Sequence, residues 1–301
     1  MKQLKNVSAS VRQRLLNHSR ERHQPFGQVV QYYAMERFLY RLGRSALVDR
    51  FILKGALMLQ VWHSPQSRPT MDIDMLGRTS NDEAAVVAQI REIISTDVEP
   101  DGIQFDPDSI RTEDITREAD YDGIRIRFQG KLDSVRINMQ IDIGFGDPVF
   151  PGPEMAELPT LLDSPTPRLF CYSRESAIAE KFHAMVIRGH LNSRMKDFFD
   201  IWLLSRSFAF DSEKLAKAVR LTFDYRHTAV PENLEVFDPA FVASKTGQWT
   251  AFRKKFSHLH IPESFDVIVL DISDFLYPVL TGCNTSSPPS RHWEPKGPWG
   301  D

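Results

Sequence analysis

A change of pattern at a proline-rich stretch divides this chain and limits how it can fold. Residues 147–168 contain six prolines, which neither a helix interior nor a central strand accepts. Before this stretch, apolar and polar residues alternate in several segments, as they do in half-buried strands. After it, apolar residues recur every three or four positions, as they do in helices. The sequence therefore predicts an α+β amino-terminal part, an extended connector and a helical carboxyl-terminal part.

These patterns predict the domain boundaries and the elements. We expect an α/β domain over residues 1–150, a connector over 151–168, a helical domain over 169–280 and a disordered tail over 281–301. In the first domain the predicted helices cover residues 8–22, 26–43 and 82–95, with a capping box formed by Ser80 and Glu83, and the predicted strands cover 51–54, 70–76, 123–130 and 135–145. The acidic residues 100–122 are predicted to be irregular. Later helices are predicted over 174–188, 194–206, 212–222, 248–256 and 264–277.

The composition excludes several classes of protein. Hydrophobic residues make up 42% of the chain and charged residues 26%, values typical of a globular protein with a packed core. The formal net charge of -3 provides no global positive field, so any contact with nucleic acid requires a local basic patch. Two distant cysteines, Cys171 and Cys283, form neither a disulfide framework nor a zinc motif. No apolar run is long enough for a signal peptide or a membrane span, so we expect a cytoplasmic protein without membrane contact.

Three aspartates on two predicted strands form the candidate catalytic and metal site. Asp72 and Asp74 are two residues apart, so on a strand both carboxylates project from one face. Asp142 lies on the polar side of the predicted strand 135–145. If the two strands are neighbours, the three carboxylates converge, and hard Mg²⁺ ions would neutralise them. Two such ions about 4 Å apart suit phosphoryl or nucleotidyl transfer. An isolated Asp-x-Asp is more often a solvated pair, but here the polar residues interrupt an otherwise apolar strand.

Two other residues near this pair are candidate phosphate contacts. Gly55 stands at a predicted strand-to-helix turn, where the absent side chain would let a phosphate approach backbone N–H groups. The alternative is that Gly55 only permits a tight turn. Arg68 directly precedes the predicted metal strand and is the basic residue that we favour for contact with substrate phosphate.

The ordered set of motifs resembles the AbiEii/AbiGii toxin family of nucleotidyltransferases. The motifs are Leu-Lys-Gly-Ala-Leu at 53–57, Arg-Pro-Thr-Met-Asp-Ile-Asp at 68–74, the helical segment 33–42 upstream and Lys-Asp-Phe-Phe-Asp-Ile at 196–201. Together they span roughly residues 26–206. The resemblance implies a DNA polymerase β-like nucleotidyltransferase fold with a mixed sheet, followed by a helical domain that completes the nucleotide site.

The resemblance also implies roles for individual residues. It assigns catalysis to Asp72, Asp74, Asp142, Lys181 and Asp197, and nucleotide binding to Lys54, Gly55, Ala56, Arg68, Lys181, Lys196 and Asp200. Lys181 would neutralise the triphosphate as a point charge. The alternative for Lys181, Lys196 and Asp197 is an ordinary helix surface with intrahelical ion pairs. The family has Gly-Gly or Gly-Ser where this chain has Gly55-Ala56, a departure that removes a possible hydroxyl contact to phosphate.

The function implied is that of a toxin in a toxin–antitoxin or abortive-infection system. Such an enzyme uses Mg²⁺ and an NTP to add nucleotides to the 3′ end of tRNA, which blocks translation. A cognate antitoxin is the implied partner, with or without direct binding. Two alternatives remain at this point: transfer to a protein hydroxyl, as in AMP-adding or phosphorylating enzymes, and a catalytically inactive binding module of the same fold.

Overall fold

The computed structural model describes residues 6–65, 68–117, 121–257, 259–283, 285 and 290–300. Over these residues the chain falls into two compact units. The first unit comprises Met1–His63, Pro69–Gly146 and Glu154–Cys171, and the second comprises Ser64–Arg68, Asp147–Pro153 and Tyr172–Asp301.

Within its described residues, the first unit contains a seven-stranded mixed sheet and four α-helices. Its helices are α1 (Val7–Glu21), α2 (Phe26–Arg44), α3 (Met58–Val61) and α4 (Glu83–Ile94). Its strands are β1 (Phe51–Lys54), β2 (Ile73–Gly77), β3 (Ile103–Arg117), β4 (Tyr121–Leu132), β5 (Val135–Phe145), β6 (Glu154–Glu157) and β7 (Arg168–Cys171). The strand order is β3-β4-β5-β2-β1-β7-β6. The sheet is mixed, since β2 runs parallel to β5 and antiparallel to β1. The α+β prediction is confirmed.

One face of this sheet packs against helices and forms the core of the first unit. Phe38 of α2 contacts the rings of Phe105 on β3 and Phe128 on β4, with ring centroids 6.4 and 5.9 Å away. These residues alternate with polar neighbours along each strand, and the buried members include Ile126 and Ile141. The alternation therefore directs the apolar side chains to the helices and leaves the polar side chains on the opposite face.

The segment predicted to be irregular, residues 100–122, instead contains all of β3 and the first two residues of β4. Buried and exposed residues alternate locally in this segment: Ile103 and Ile110 are buried, whereas their neighbours Gln104 and Arg111 are exposed. The many acidic residues made this alternation hard to recognise in the sequence. A register shift between Asp106 and Arg111 interrupts the pairing with β4. The strand order places β3 at an edge of the sheet, where a bulge and charged residues are tolerated.

Other predicted boundaries differ from the structure in detail. The predicted strand 70–76 begins only at Ile73, so Asp72 precedes β2. The side chain of Asp82, rather than Ser80, caps α4 by accepting a hydrogen bond from the backbone N–H of Ala85. The segment predicted as a connector, 151–168, contains β6 and the first residue of β7, and Leu158 between these strands is fully buried despite the prolines.

The second unit is mainly helical. Its helices are α5 (Arg174–Arg188), α6 (Met195–Ser207), α7 (Ser212–Tyr225), α8 (Pro239–Lys255) and α9 (Phe265–Cys283). Ser173 caps α5 through a hydrogen bond to the backbone N–H of Ser176, and Gly189 at φ 42° ends that helix. Aromatic rings fill the core, as where Phe198 contacts Phe265 at 5.1 Å between centroids. None of the helices in the described part of the chain is long and apolar enough to span a membrane.

Residues 290–300, which fall within the predicted disordered tail, form two short strands in the second unit. These are β9 (His292–Trp293) and β10 (Trp299–Gly300), joined to β8 (Phe210–Asp211) in a three-stranded sheet. Trp293 is buried, and its Nε1 donates a hydrogen bond to the Ser205 carbonyl at 2.6 Å. Trp293 and Trp299 pack against Phe275, and this aromatic contact stabilises the segment although most of its residues are polar. Residues 284, 286–289 and 301 of the predicted tail lie outside the described residues.

Candidate functional site

A row of charged side chains crosses the sheet of the first unit. Lys54 on β1 is in register with Asp74 on β2, Asp74 with Asp142 on β5, and Asp142 with Arg125 on β4. Residues directly opposite each other on neighbouring strands project from the same face, with Cβ atoms about 5 Å apart. Two carboxylates therefore lie side by side, with one cation on each side of the pair. The two aspartate strands are neighbours, which is the condition on which the expected convergence of carboxylates depended.

Two of the three predicted metal ligands, Asp142 and Asp72, accept hydrogen bonds from different protein groups. Both oxygens of Asp142 accept hydrogen bonds from the Arg125 guanidinium, at 2.8 and 2.7 Å. The Asp72 carboxylate accepts a hydrogen bond from the Thr70 hydroxyl. Among the described residues, no three His, Cys, Asp or Glu side chains are arranged as a metal site. The expected convergence of three carboxylates is therefore limited to the neighbours Asp74 and Asp142.

The carboxylate oxygens at this site are of the type that binds a divalent cation, and two of the carboxylates lie opposite each other on neighbouring strands. Asp74 and Asp142 offer the hard carboxylate oxygens that Mg²⁺ prefers, and Asp72 is two residues from Asp74. The hydrogen bonds to Asp142 favour charged Arg125, and the charges of Asp142, Glu113 and Asp72 also raise the pKa of this guanidinium, against the effect of its burial. Arg125 thus compensates the charge of Asp142, and Oδ2 of Asp142 keeps a second lone pair that a cation could use.

Gly55 allows the Asp74 carboxylate to lie against the backbone. The residue has φ 73°, a conformation that side chains other than glycine rarely adopt. A Cβ atom at this position would lie 2.1 Å from Oδ2 of Asp74, far inside van der Waals contact. Ala56 follows in a short 3-10 turn and is buried. The helix that we predicted after Gly55 is only the four-residue α3, which follows the 3-10 turn. The close approach of the Asp74 carboxylate is the contact that the structure shows for Gly55, and its contact with phosphate stays a prediction.

In the second unit, a buried cluster of ion pairs is centred on Asp200. Arg68 donates two hydrogen bonds to its carboxylate, both at 2.9 Å, and Lys181 Nζ donates a third at 2.6 Å. Asp200 is 1% exposed. Burial would raise the pKa of Asp200, but the charges of Arg68 and Lys181 hold it well below the usual range. The carboxylate therefore stays ionised and positions both cations.

Two further predicted residues extend this cluster. Asp197 lies 3.5 Å from Lys181 Nζ and forms an ion pair of 2.6 Å with Arg194. Burial would lower the pKa of Lys181, yet Asp200 and Asp197 outweigh it and raise the pKa overall, so this lysine stays charged. The pKa of Lys196 is lowered, by desolvation first and then by Arg194 and Arg68. Four cations near two carboxylates leave an excess of positive charge, which suits an anionic ligand.

Arg125 is the residue near the carboxylates that the sequence analysis missed. The signal was the alternation of Ile124 and Ile126 with Arg125 and Arg127, which places both arginines on one face of β4. That they face the aspartates depends on β4 pairing with β5, which the local pattern does not specify. The other predicted residues are divided between the units, with Lys54, Gly55, Ala56 and the three metal candidates in the first and the remainder in the second.

Comparison with known proteins gives one family match and two structural likenesses. A family model described as nucleotidyl transferase AbiEii toxin, type IV toxin–antitoxin system, matches residues 37–270. The crystal structure of a candidate nucleotidyltransferase from H. pylori has a TM-score of 0.45 and 12% identity, with 82% of this chain and 92% of that chain covered. The crystal structure of JHP933 from Helicobacter pylori has a TM-score of 0.46 and 11% identity, with coverages of 82% and 90%. No curated protein matches this chain.

Proposed function

We propose that this chain, which belongs to the AbiEii family of nucleotidyltransferase toxins of type IV toxin–antitoxin systems, uses Mg²⁺ to transfer a nucleotide from an NTP to the 3′ end of tRNA. The family model covers most of the chain, so the resemblance predicted from the motifs is confirmed, and the chain is a nucleotidyltransferase. The metal, the tRNA acceptor and the consequent block of translation are the parts that we add.

One observation carries the proposal: Asp74 and Asp142 lie opposite each other on neighbouring strands. Asp74 also lies so close to Gly55 that any side chain at position 55 would collide with its carboxylate. Apposed carboxylates are unfavourable without a cation between or beside them. Nucleotidyl transfer needs such a pair, since charge develops on both the attacking oxygen and the leaving pyrophosphate. Lys54 and Arg125 lie in register on either side of this pair, and Mg²⁺ would add to the positive charge that they supply.

The proposed chemistry joins the acceptor hydroxyl oxygen to the α-phosphorus of the NTP. The bond between that phosphorus and the bridging oxygen breaks, pyrophosphate leaves, and the hydroxyl proton passes to water. Asp72, Asp74 and Asp142 would hold Mg²⁺, which when bound supplies charge that acidifies the hydroxyl and stabilises the leaving group. We assign Lys181 and Lys196 to the triphosphate, and Arg68, Asp197 and Asp200 to the positioning of these cations.

The test is incubation with total tRNA, Mg²⁺ and each of the four labelled NTPs in turn. We expect label in tRNA for at least one NTP. Asp72→Asn and Asp74→Asn should each reduce the rate by at least about a hundredfold, since a carboxylate that binds the metal stabilises the transition state by several kcal/mol. Asp163→Asn is the matched control, because its carboxylate is fully exposed on the same unit and should leave the rate unchanged.

Three results would contradict the proposal. Undiminished transfer by both aspartate variants would exclude the assigned site. A label that appears on protein and never on RNA would favour the alternative of a protein hydroxyl acceptor. Failure to bind either NTP or Mg²⁺ in calorimetry would favour an inactive module. We also propose that the chain acts in the cytoplasm, where its tRNA substrate is found. The proposed partner is an antitoxin of the same system, which restrains the toxin.

A further inference from the structure

The sheet face opposite the helices carries an unusual number of cations for a chain with a net charge of -3. Arg111 on β3, Arg127 and Lys131 on β4 and Arg136 on β5 are all exposed and all project from this face. We call these four residues the basic sheet face. It leads along β4 and β5 to Arg125 and Asp142, which lie on the same face.

The cross-strand register of the basic sheet face puts like charges together. Lys131 lies directly opposite Arg136, and Arg111 lies directly opposite Arg127. Like charges in register destabilise a sheet. Glu113 compensates the second pair through an ion pair with Arg127. Across the described residues, neither Lys131 nor Arg136 has a carboxylate within ion-pair distance. An anion from outside the chain would relieve the repulsion within this pair.

The two like-charge pairs lie four residues apart along β4, which corresponds to about 13 Å. A single phosphate group cannot reach both. A phosphodiester backbone can, because it carries one negative charge per nucleotide. The uncharged Gln129 and Asn138, which are opposed in register between the pairs, add hydrogen-bond donors and acceptors suited to sugar and phosphate oxygens.

A cleft of about 530 Å³ connects this face with Asp72, one of the candidate catalytic residues. It lies where residues 135–140 of β5 have no strand partner on the β2 side, since the β2–β5 pairing begins at Ile73 and Ile141. Arg127, Arg136 and Asn138 line it on one side, and Asp72 and the half-exposed Met71 line it on the other. The volume lies within the range of pockets that hold small ligands such as a nucleotide.

We infer that the basic sheet face and this cleft form the acceptor site of the enzyme, which binds the single-stranded 3′ end of RNA. The phosphates of the strand lie on Arg111, Arg127, Lys131 and Arg136, and the terminal nucleoside enters the cleft with its hydroxyl toward Asp72. Met71 offers an apolar surface for the base. The direction in which the RNA lies on this surface rests on the proposed function. The surface itself is defined only by its positive charges and by the pairing register of β3, β4 and β5.

The test measures RNA binding separately from catalysis. The probe is a fluorescent single-stranded RNA that ends in CCA, and its anisotropy is followed in the full chain without NTP over a range of salt concentrations. Lys131→Ala/Arg136→Ala should weaken binding about tenfold at low salt. It should also reduce the salt slope by about 1.4, because each contact between a cation and a single-strand phosphate contributes about 0.7.

The matched control is Arg20→Ala/Arg22→Ala, which removes two exposed cations at the end of α1, in the same unit. This variant should bind the RNA as the wild type does. Binding of NTP measured by calorimetry should be unchanged in both double variants, which would show that each is folded. A photo-crosslink from a terminal 4-thiouridine should map to Met71 or to residues 135–140.

Four outcomes would overturn the inference. Three concern the probe: unchanged affinity and salt slope in Lys131→Ala/Arg136→Ala, an equal loss in the control, and crosslinks that map outside the cleft. The fourth is a wild-type chain that binds an acidic polypeptide and does not bind the RNA. Failure of the proposed function gives a different result, namely a wild-type chain that binds the RNA at this face but incorporates no nucleotide into it.

Discussion

Replacement of Gly55 by alanine tests the geometry on which the candidate site depends. The backbone at Gly55 has φ 73°, so an alanine there would adopt a left-handed conformation that costs about 1–2 kcal/mol. Its Cβ would also lie 2.1 Å from Oδ2 and 2.7 Å from Cγ of Asp74. Because ordinary contacts between these atoms exceed about 3.4 Å, the carboxylate must move by more than about 1 Å.

The two effects should be measurable separately. The backbone cost of about 2 kcal/mol should lower the melting temperature by about 4–8 °C for a unit of this size. Displacement of a catalytic carboxylate by about 1 Å should lower kcat for nucleotide transfer by about a hundredfold. The assays are differential scanning fluorimetry and incorporation of labelled NTP into tRNA, both at a temperature where the variant is folded.

Gly247→Ala is the matched control. A Cβ at Gly247, within α8, would have no heavy atom within 4 Å, so alanine should raise stability by about 0.5–1 kcal/mol through its helix propensity and leave transfer unchanged. A folded Gly55→Ala variant with transfer within about threefold of wild type would show that the position of Asp74 does not matter, and the reasoning on the carboxylate row would be refuted.

Three further predictions concern the second unit. Asp200→Asn should cost about 3 kcal/mol in urea unfolding, because it removes the buried negative charge that accepts hydrogen bonds from both Arg68 and Lys181. Glu263→Gln at an exposed ion pair should cost less than about 1 kcal/mol, and equal costs would contradict the buried cluster. Desolvation and then Arg226 lower the pKa of His183 to about 4, below its unfolded value of about 6.5, so stability should fall as the pH drops from about 6.5 to 4. His183→Gln should flatten that slope by up to about 1.4 kcal/mol per pH unit, and identical pH profiles would exclude the assignment. Trp293→Ala should cost about 3 kcal/mol and expose residues 290–300 to protease, and an unchanged digestion pattern would show that this strand is not packed.

Much of the fold could be predicted because its signals are local. Alternation in β5 predicted a strand over residues 135–145, and the structure has the same bounds. The helical periodicity and Gly189 predicted the helix 174–188, and α5 spans the same residues. Periodic burial and end signals act within a few residues, so the amino-acid order alone carries them.

The failures share one physical cause, which is that long-range packing outweighed composition. The acidic segment that became β3 had been predicted irregular from its charge, yet an edge strand needs only one apolar face. The polar tail that became β9 and β10 is ordered by Trp293 and Trp299, which find an aromatic partner in Phe275. No local signal indicates that such a partner exists.

For the candidate site, the sequence by itself determined which side chains could act and on which side of a strand they would project. Asp74 and Asp142 were identified from alternation, and Lys181, Asp197 and Asp200 from motif resemblance. Whether they have partners was decided by tertiary structure, which brought Arg125 to Asp142 across 17 residues and Arg68 to Asp200 across 132. Side-chain direction follows from backbone periodicity, but strand order and register depend on the packing of the whole unit. For the same reason, the basic sheet face became visible only when β3, β4 and β5 were aligned.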